Sequence, residues 1–125
     1  MKVLFIRTND TVSARQIFAH SQNELHMTDI KKLLSPSIET LYPTRISRLA
    51  YLYIMFADKE DKKRPVNKIA SALVSKGTHE VRGDVVLART NHAGSGAKIF
   101  ALDDQEIEKV LERISLAVGH KVETK

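Results

Sequence analysis

The chain has 125 residues, of which 42% are hydrophobic and 28% are charged, and its net charge is +5. This length is typical of one domain, and the composition is that of a folded protein rather than a disordered one. The chain has no cysteine, which excludes disulfides, thiolate metal sites and cysteine nucleophiles. We predict one domain over residues 1–119 and a polar C-terminal tail over residues 120–125 that frays.

The apolar stretches of the sequence are short. The longest, Leu49–Ala57, is far below the about 20 residues that a membrane-spanning helix needs. The N-terminal run Met1–Ile6 is too short for a signal-peptide core and predicts a strand instead. We therefore expect a cytoplasmic or nuclear protein with no membrane partner, and the lack of cysteine fits such a reducing compartment.

The first third of the chain alternates short apolar runs with turn residues. Lys2–Arg7 is a β-rich run closed by a polar turn, which predicts a strand. Thr11–Ala19 predicts either a second strand, in a hairpin with the first, or a short helix. Leu25–Leu34 gathers its apolar residues near one face and predicts a helix, with Thr28 as an alternative, later N-cap. Pro36 ends this helix because its ring cannot continue one.

Two strands and a charged connection follow. Ser37–Tyr42 predicts a strand that ends at Pro43. In Arg48–Ala57 both alternating sets of residues are apolar, which is typical of a strand covered on both faces. A buried helix is the alternative there, but the aromatic content and short length favour the strand. The charged run Asp58–Arg64 predicts an exposed connection.

The next predicted helix begins at Pro65, whose missing N–H costs little at a first helical position. The apolar residues from Val66 to Val74 recur at helical spacing and form one stripe. Gly77 is a natural end for this helix. After it, the continuous apolar run Val85–Ala88 is typical of a central strand.

The last helix has the clearest sequence signals. Asp103 is an N-cap, Glu106 completes an Asp-x-x-Glu capping box, and Gly119 ends the helix Asp104–Val118. The apolar positions along it fall on one face. Just before it, Lys98–Leu102 predicts one more strand. The order of elements predicts an α+β fold, with a mixed or mostly antiparallel sheet of about four to six strands and about three helices mainly on one face.

Four short motifs occur in order along the chain: Ile38-Glu39, Tyr51–Phe56, a Pro-x-Asn-x-x-Ala-x-x-Leu helix and Arg82–Leu87. With them the chain resembles an uncharacterised family of small domains found in bacteriophages, bacteria and large DNA viruses. The family's turn before the helix usually contains glycine, which Asp58–Arg64 lacks. The resemblance implies a viral or mobile-element origin and brings no activity with it. The residues that match the motifs of the family, called the family-like positions below, are Pro65, Asn67, Ala70, Leu73, Gly83 and Asp84.

A dense run of basic residues is the first candidate site. Lysine and arginine bind phosphates through charge and counterion release, and the nearby Tyr51 and Tyr53 either stack on bases or belong to the core. A solvated loop is the alternative, because Asp58, Glu60 and Asp61 offset much of the charge. The candidate nucleic-acid-binding residues are Lys59, Lys62, Lys63, Arg64, Lys68 and Arg82.

Two weaker candidates involve glycines. The family-like positions Asn67, near a helix start, and Asp84, at a strand start, predict a polar contact that fixes the helix on the sheet, or else the lining of a binding cleft. Gly83 suits a backbone shape that other residues resist. The glycine-containing segment Asn91–Lys98 is either a hairpin loop or an anion-binding loop, but it lacks the full phosphate-loop pattern.

The sequence lacks recognisable catalytic and metal-binding signatures. It contains no Gly-x-Ser-x-Gly elbow, and its five histidines include no pair four residues apart on a helix. We therefore expect no metal, no cofactor and no catalytic residues. The prediction is an accessory protein, of viral or mobile-element type, that acts by protein–protein interaction or self-association. The alternative is a nucleic-acid-binding module that uses the basic residues.

Overall fold

The computed structural model describes residues 1–47, 52–60, 63–74, 80–92, 94 and 96–124. The strands are β1 (Lys2–Ile6), β2 (Thr11–Gln16), β3 (Glu24–Leu25), β4 (Ile38–Leu41), β5 (Leu52–Asp58), β6 (Val85–Thr90), β7 (Ile99–Phe100) and β8 (Glu123–Thr124). The helices are α1 (Met27–Leu33), α2 (Lys68–Leu73) and α3 (Asp104–Val118), with a single 3₁₀ turn at Ser21–Asn23. None of the helices in these ranges is both long enough and apolar enough to cross a membrane.

One mixed sheet holds all eight strands, so the α+β class is confirmed and the number of strands is higher than predicted. The central strand β6 pairs antiparallel with β5 along one edge, and with β1 and β7 along the other. Beyond them, β4 pairs with β5, β2 with β1 and β3 with β7, all antiparallel. The sheet is mixed because β8 pairs with β2 in parallel.

The two faces of the sheet carry separate cores. Alternating residues of β1, β5 and β6 point to opposite faces, as the pleat of a strand requires. Leu4, Met55 and Leu87 pack with α2 and α3 on one face, whereas Phe56 packs with Ile30 of α1 on the other. Two of the three helices therefore share a face, as predicted, and α1 covers the opposite one.

The strand β5 is buried on both faces, which confirms the prediction for this segment. Every side chain from Tyr53 to Ala57 is at most 3% exposed. Tyr53, at 2% exposed, belongs to the core and is not a stacking platform. The first part of the predicted strand, residues 48–51, lies outside the described residues.

The first hairpin is confirmed and the first helix is shorter than predicted. β1 and β2 pair antiparallel from Lys2↔Gln16 to Ile6↔Val12. Leu25 belongs to β3, and α1 begins at Met27 with His26 as its N-cap, so the alternative cap at Thr28 is wrong. The helix begins there because Asp29 Oδ2 accepts from the backbone N–H of His26 at 2.8 Å and so caps the first turn.

The second helix begins later than predicted, and Pro65 is not its first residue. Asn67 is the N-cap, because its Oδ1 accepts from the backbone N–H of Ala70 at 3.0 Å. Pro65 instead accepts from the Gly83 N–H at 3.0 Å, and Val66 forms a bridge with Arg82. The segment before Asn67 thus pairs as an extended chain. The predicted end of the helix at residue 77 lies outside the described residues.

The last helix matches its prediction at both ends. Asp103 accepts from the Glu106 N–H at 2.8 Å, the Glu106 side chain returns to the Asp103 N–H at 3.2 Å, and Gly119 is left-handed with φ 85°. Part of the predicted polar tail packs into the fold. Val122 is buried because it packs in the core, and its N–H donates to Ser115 Oγ at 3.2 Å before β8 joins the sheet.

Candidate functional site

A buried amide links three elements at one end of the sheet. Asn67 is 0% exposed, and its Nδ2 donates to the backbone oxygens of Ile6, at 2.8 Å, and Gly83, at 2.9 Å. Since Oδ1 caps α2, the side chain ties the end of β1 and the chain before β6 to the start of α2. The sequence suggested a polar contact between Asn67 and Asp84. The observed contact is with the backbone oxygen of the preceding residue, Gly83, and it holds the helix on the sheet.

The neighbours of this amide are also engaged in the fold. Gly83 has φ +76°, and a Cβ there would lie 3.3 Å from Arg64 Cδ, so both its backbone shape and its surroundings favour glycine. Asp84 Oδ1 accepts from the Thr8 N–H at 3.1 Å, and Oδ2 lies 3.7 Å from Arg7 Nη1. Asp84 thus joins the start of β6 to the β1–β2 turn, and Gly83 joins it to the chain before α2.

The described basic candidates gather at the same end of the sheet. β5 ends at Asp58 at the end of the sheet where β6 begins, since the two strands are antiparallel, and Lys59 follows directly. Arg82 and Arg64 are in contact, with Arg82 Nη1 donating to the Arg64 backbone oxygen at 3.0 Å. Lys68 begins α2 directly after Asn67, and Lys63 precedes Arg64 on the exposed connection. Lys62 lies outside the described residues.

Acidic side chains accompany these cations. Arg82 Nη2 pairs with Glu80 Oε1 at 2.8 Å. Lys68 lines a cavity of about 340 Å³ together with Asp10 and His120. Asp58 and Glu60 flank Lys59 in the chain. The positive field at this end of the sheet is therefore reduced by nearby carboxylates.

The glycine-containing loop after β6 is held by hydrogen bonds within the loop and by one to Tyr42. The Gly94 N–H donates to the Tyr42 hydroxyl at 2.9 Å, and the Lys98 N–H donates to Asn91 Oδ1 at 2.9 Å. Thr90 Oγ1 donates to the Lys98 backbone oxygen at 2.7 Å. These N–H and O–H groups are already bonded to protein oxygens, which favours the hairpin-loop interpretation.

The outer edge of β2 is open over half its length. Backbone hydrogen bonds join Arg7 to Thr11 and Ile17 to Met1, so odd-numbered residues of β2 bond to β1 and even-numbered ones point outward. β8 covers only Thr11 and Val12. In the described part of the chain, the outward backbone groups of Ala14 and Gln16 have no strand beside them, and both residues are exposed.

This open edge borders a basic groove. The groove has a volume of about 540 Å³, and its lining includes Arg7, Arg15 and the edge residues Ser13–Gln16. The Arg7 and Arg15 guanidinium carbons lie 5.5 Å and 4.7 Å from the centroid of the Phe5 ring. The stacking positions both cations beside the open edge.

A second group of polar side chains surrounds the start of α1. His20 Nε2 lies 3.1 Å from Asp29 Oδ2, and the His20 and His26 rings are stacked with centroids 3.9 Å apart. The hydrogen bond from the His26 backbone holds the pKa of Asp29 below its usual value, and His20 adds to this by hydrogen bond and charge, while burial opposes it. Among the described residues, these three side chains are the set of histidine and carboxylate groups that could hold a metal ion.

Sequence reasoning missed both of these sites. The alternation of residues in β2 predicts a strand, but it does not distinguish an edge strand from a central one. These two differ only in whether a neighbouring strand is present. The spacing His20-x₅-His26-x₂-Asp29 spans a turn, so it matches no helical metal motif. A signal for it was the polar turn Ser21–Asn23 between His20 and the start of α1.

No family model, no curated protein and no solved structure matches this chain. The resemblance to the family of phages, bacteria and large DNA viruses therefore stays a prediction.

Proposed function

We propose that the protein is a non-enzymatic accessory protein that binds another protein by adding a strand to its sheet. The observation that supports this function is the open edge of β2, where Ala14 and Gln16 present backbone donors and acceptors to solvent. Exposed strand edges pair readily with another extended chain, and proteins use this mode to recognise peptide segments.

The charge beside the edge selects the kind of segment. Arg15 is exposed, and Arg7 lies in the same groove. Side chains of an added strand that project to this face would lie next to Arg15, and opposite charges across paired strands stabilise pairing. The proposed partner is therefore an extended segment with acidic residues at alternate positions.

Pairing between two copies through this edge is less favourable. The symmetric antiparallel register that uses both outward residues pairs Ala14 with Gln16 of the second copy. That register sets the two Arg15 side chains directly opposite each other, and like charges in this position destabilise a strand pair. A different protein thus fits the β2 edge better than a second copy does.

An NMR titration tests the proposal. We expect a peptide of alternating valine and glutamate to shift the amide signals of residues 13–16, and the matching valine–lysine peptide to leave them unchanged. Arg15→Glu should reverse this preference. Ala14→Pro removes one outward N–H, so it should weaken binding about tenfold, equivalent to one hydrogen bond, whereas Ala14→Ser should bind as the unchanged protein does.

Two results would overturn the proposal. One is equal binding of both peptides by the unchanged protein, or no binding of either. The other is binding that survives both Ala14→Pro and Arg15→Glu in variants whose circular dichroism matches that of the unchanged protein. Sedimentation over a concentration series separates peptide binding from self-association, which we expect to be absent at the β2 edge.

Nucleic-acid binding is the second candidate function. The gathering of Lys59, Lys63, Arg64 and Arg82 at one end of the sheet supports it, and the carboxylates there weaken it. It predicts binding to DNA or RNA that falls steeply with salt and is lost in a Lys59→Ala, Lys63→Ala double variant. Fluorescence anisotropy at low salt measures this, and an unbound oligonucleotide would eliminate the candidate.

A further inference from the structure

The side chains His20, His26 and Asp29 form a compact group of metal-ligand atoms on the surface. One ligand atom from each lies within 4.8 Å of those from the other two. Both histidines are exposed, and Asp29 is half-buried. The group is independent of the β2 edge and of the basic end of the sheet, so it is not part of the proposed function.

The local backbone brings the three residues together. The turn Ser21–Asn23 reverses the chain, with Gln22 at φ 59° and Asn23 at φ 64°. The backbone N–H of His20 then donates to the Glu24 oxygen at 2.8 Å, which closes the turn. The chain passes through β3 to His26 at the start of α1, and Asp29 follows in the first turn of that helix.

The carboxylate is already oriented. Asp29 Oδ2 accepts from the His26 backbone N–H at 2.8 Å and lies 3.1 Å from His20 Nε2. These two contacts fix the orientation of the Asp29 carboxylate. An ion pair between His20 and Asp29 would need only one imidazole, yet the His26 ring lies parallel to the first, with an angle of 9° between the planes.

We propose that His20, His26 and Asp29 bind a divalent transition-metal ion, with Zn²⁺ as the reference ion. Two imidazoles and one carboxylate are the donor set that zinc, nickel and copper accept. Tetrahedral zinc with bonds of about 2.0–2.2 Å places its ligand atoms about 3.3–3.6 Å apart, so rotations of the exposed imidazoles adjust the present spacing to fit the ion. On binding, the ion displaces the hydrogen bond between His20 and Asp29, and any proton on a coordinating nitrogen is released to solvent.

The ion would fasten the connection after β2 to helix α1. That connection covers the core beside α1, where Ile17 and Ala19 pack with Ile30. Three protein ligands leave one position of a tetrahedral ion for water or for a group from a partner. Stability should therefore rise with metal concentration, because only the folded chain brings the ligands together.

Calorimetry on the untagged, chelator-treated protein tests the site with ZnCl₂. We expect one ion per chain and a higher melting temperature in its presence. His20→Ala and His26→Ala should each lower the affinity at least about tenfold, the equivalent of one lost ligand interaction. The matched control is His120→Ala, which removes an exposed histidine outside the group and should leave zinc binding unchanged.

A spectroscopic measurement identifies the ligands directly. On addition of zinc, the imidazole ¹⁵N signals of His20 and His26 should shift, and those of His92 and His120 should not. The proposal is overturned if the protein binds no zinc, if His92 or His120 responds in place of the pair, or if a His20→Ala, His26→Ala double variant binds with unchanged affinity. His20 lies outside the helices and strands, so we expect His20→Ala to keep the fold, which circular dichroism checks.

Discussion

Asn67 shows how much one buried side chain can determine. Its amide makes three hydrogen bonds, to β1, to the chain before β6 and to α2, with no exposure to water. A buried polar group is stable only when its donors and acceptors are paired, and here each pairing also connects two elements. The residue is thus both the cap of a helix and a clamp on the sheet.

We expect Asn67→Ala to lower the free energy of unfolding by about 2–4 kcal/mol. The change removes a helix cap and leaves the backbone oxygens of Ile6 and Gly83 without their donor. Asn67→Asp keeps an acceptor for the cap but places a carboxylate against two carbonyl oxygens, so it should destabilise at least as much. Urea denaturation followed by circular dichroism measures both.

The control for this prediction is Asn91→Ala. Asn91 also accepts a backbone hydrogen bond, from Lys98, but it lies exposed in a loop. Loss of this hydrogen bond should lower the free energy of unfolding by about 1 kcal/mol or less. If Asn67→Ala costs no more than Asn91→Ala, the clamp role is refuted.

At the scale of elements, helix ends were predictable where the capping group is local. The α3 cap at Asp103 and the left-handed Gly119 lie within four residues of the backbone groups that they satisfy. The start of α2 was not predictable in the same way. Pro65 has the local signal of a first helical residue, but pairing of its segment with residues 81–83, far along the chain, holds it extended.

Variants of the adjacent residues Asp103 and Asp104 distinguish the effect of helix capping on stability from that of surface charge. Asp103→Ala should lower the free energy of unfolding by about 1 kcal/mol, because the Glu106 N–H loses its acceptor. Asp104→Ala should cost about 0.5 kcal/mol or less, since its ion pair with Lys2 at 2.9 Å is exposed. Denaturation of both variants in the same buffer gives the comparison. Equal losses would mean that charge near the helix start, and not the cap, stabilises α3.

At the scale of the whole molecule, the sheet joins two cores. Ile6 packs on the face of α2 and α3, and Ile54 packs on the face of α1, yet both lie on strands that supply both faces. If the core on one face unfolds, the same strands can no longer support the core on the other face. The two cores should therefore unfold together.

This coupling predicts one shared transition. Ile6→Val and Ile54→Val should each lower stability by about 0.5–1.5 kcal/mol, because each removes one buried methylene. In both variants, urea curves from far-ultraviolet circular dichroism and from tyrosine fluorescence should coincide. Two resolved transitions in either variant would show that the faces unfold independently.

The α+β class, the strand β1 and the buried β5 all follow from patterns within a few residues of sequence. The ends of α3 follow from the same kind of local pattern. Alternation, capping groups and turn residues act through neighbours along the chain, so the sequence alone determined these features. The choice of hairpin over helix for Thr11–Ala19 stayed open because its apolar pattern is weak.

Only the tertiary structure decided which surfaces are exposed and which side chains meet. The chain after α3 returns to the sheet, where β8 pairs with β2 at Thr11 and Val12. Because this pairing covers only the first two residues of β2, the rest of its edge stays open beside Arg15. His20 and His26 meet Asp29 because a left-handed turn folds the chain back. Such features depend on the presence or absence of a neighbour far along the chain, which no local pattern encodes.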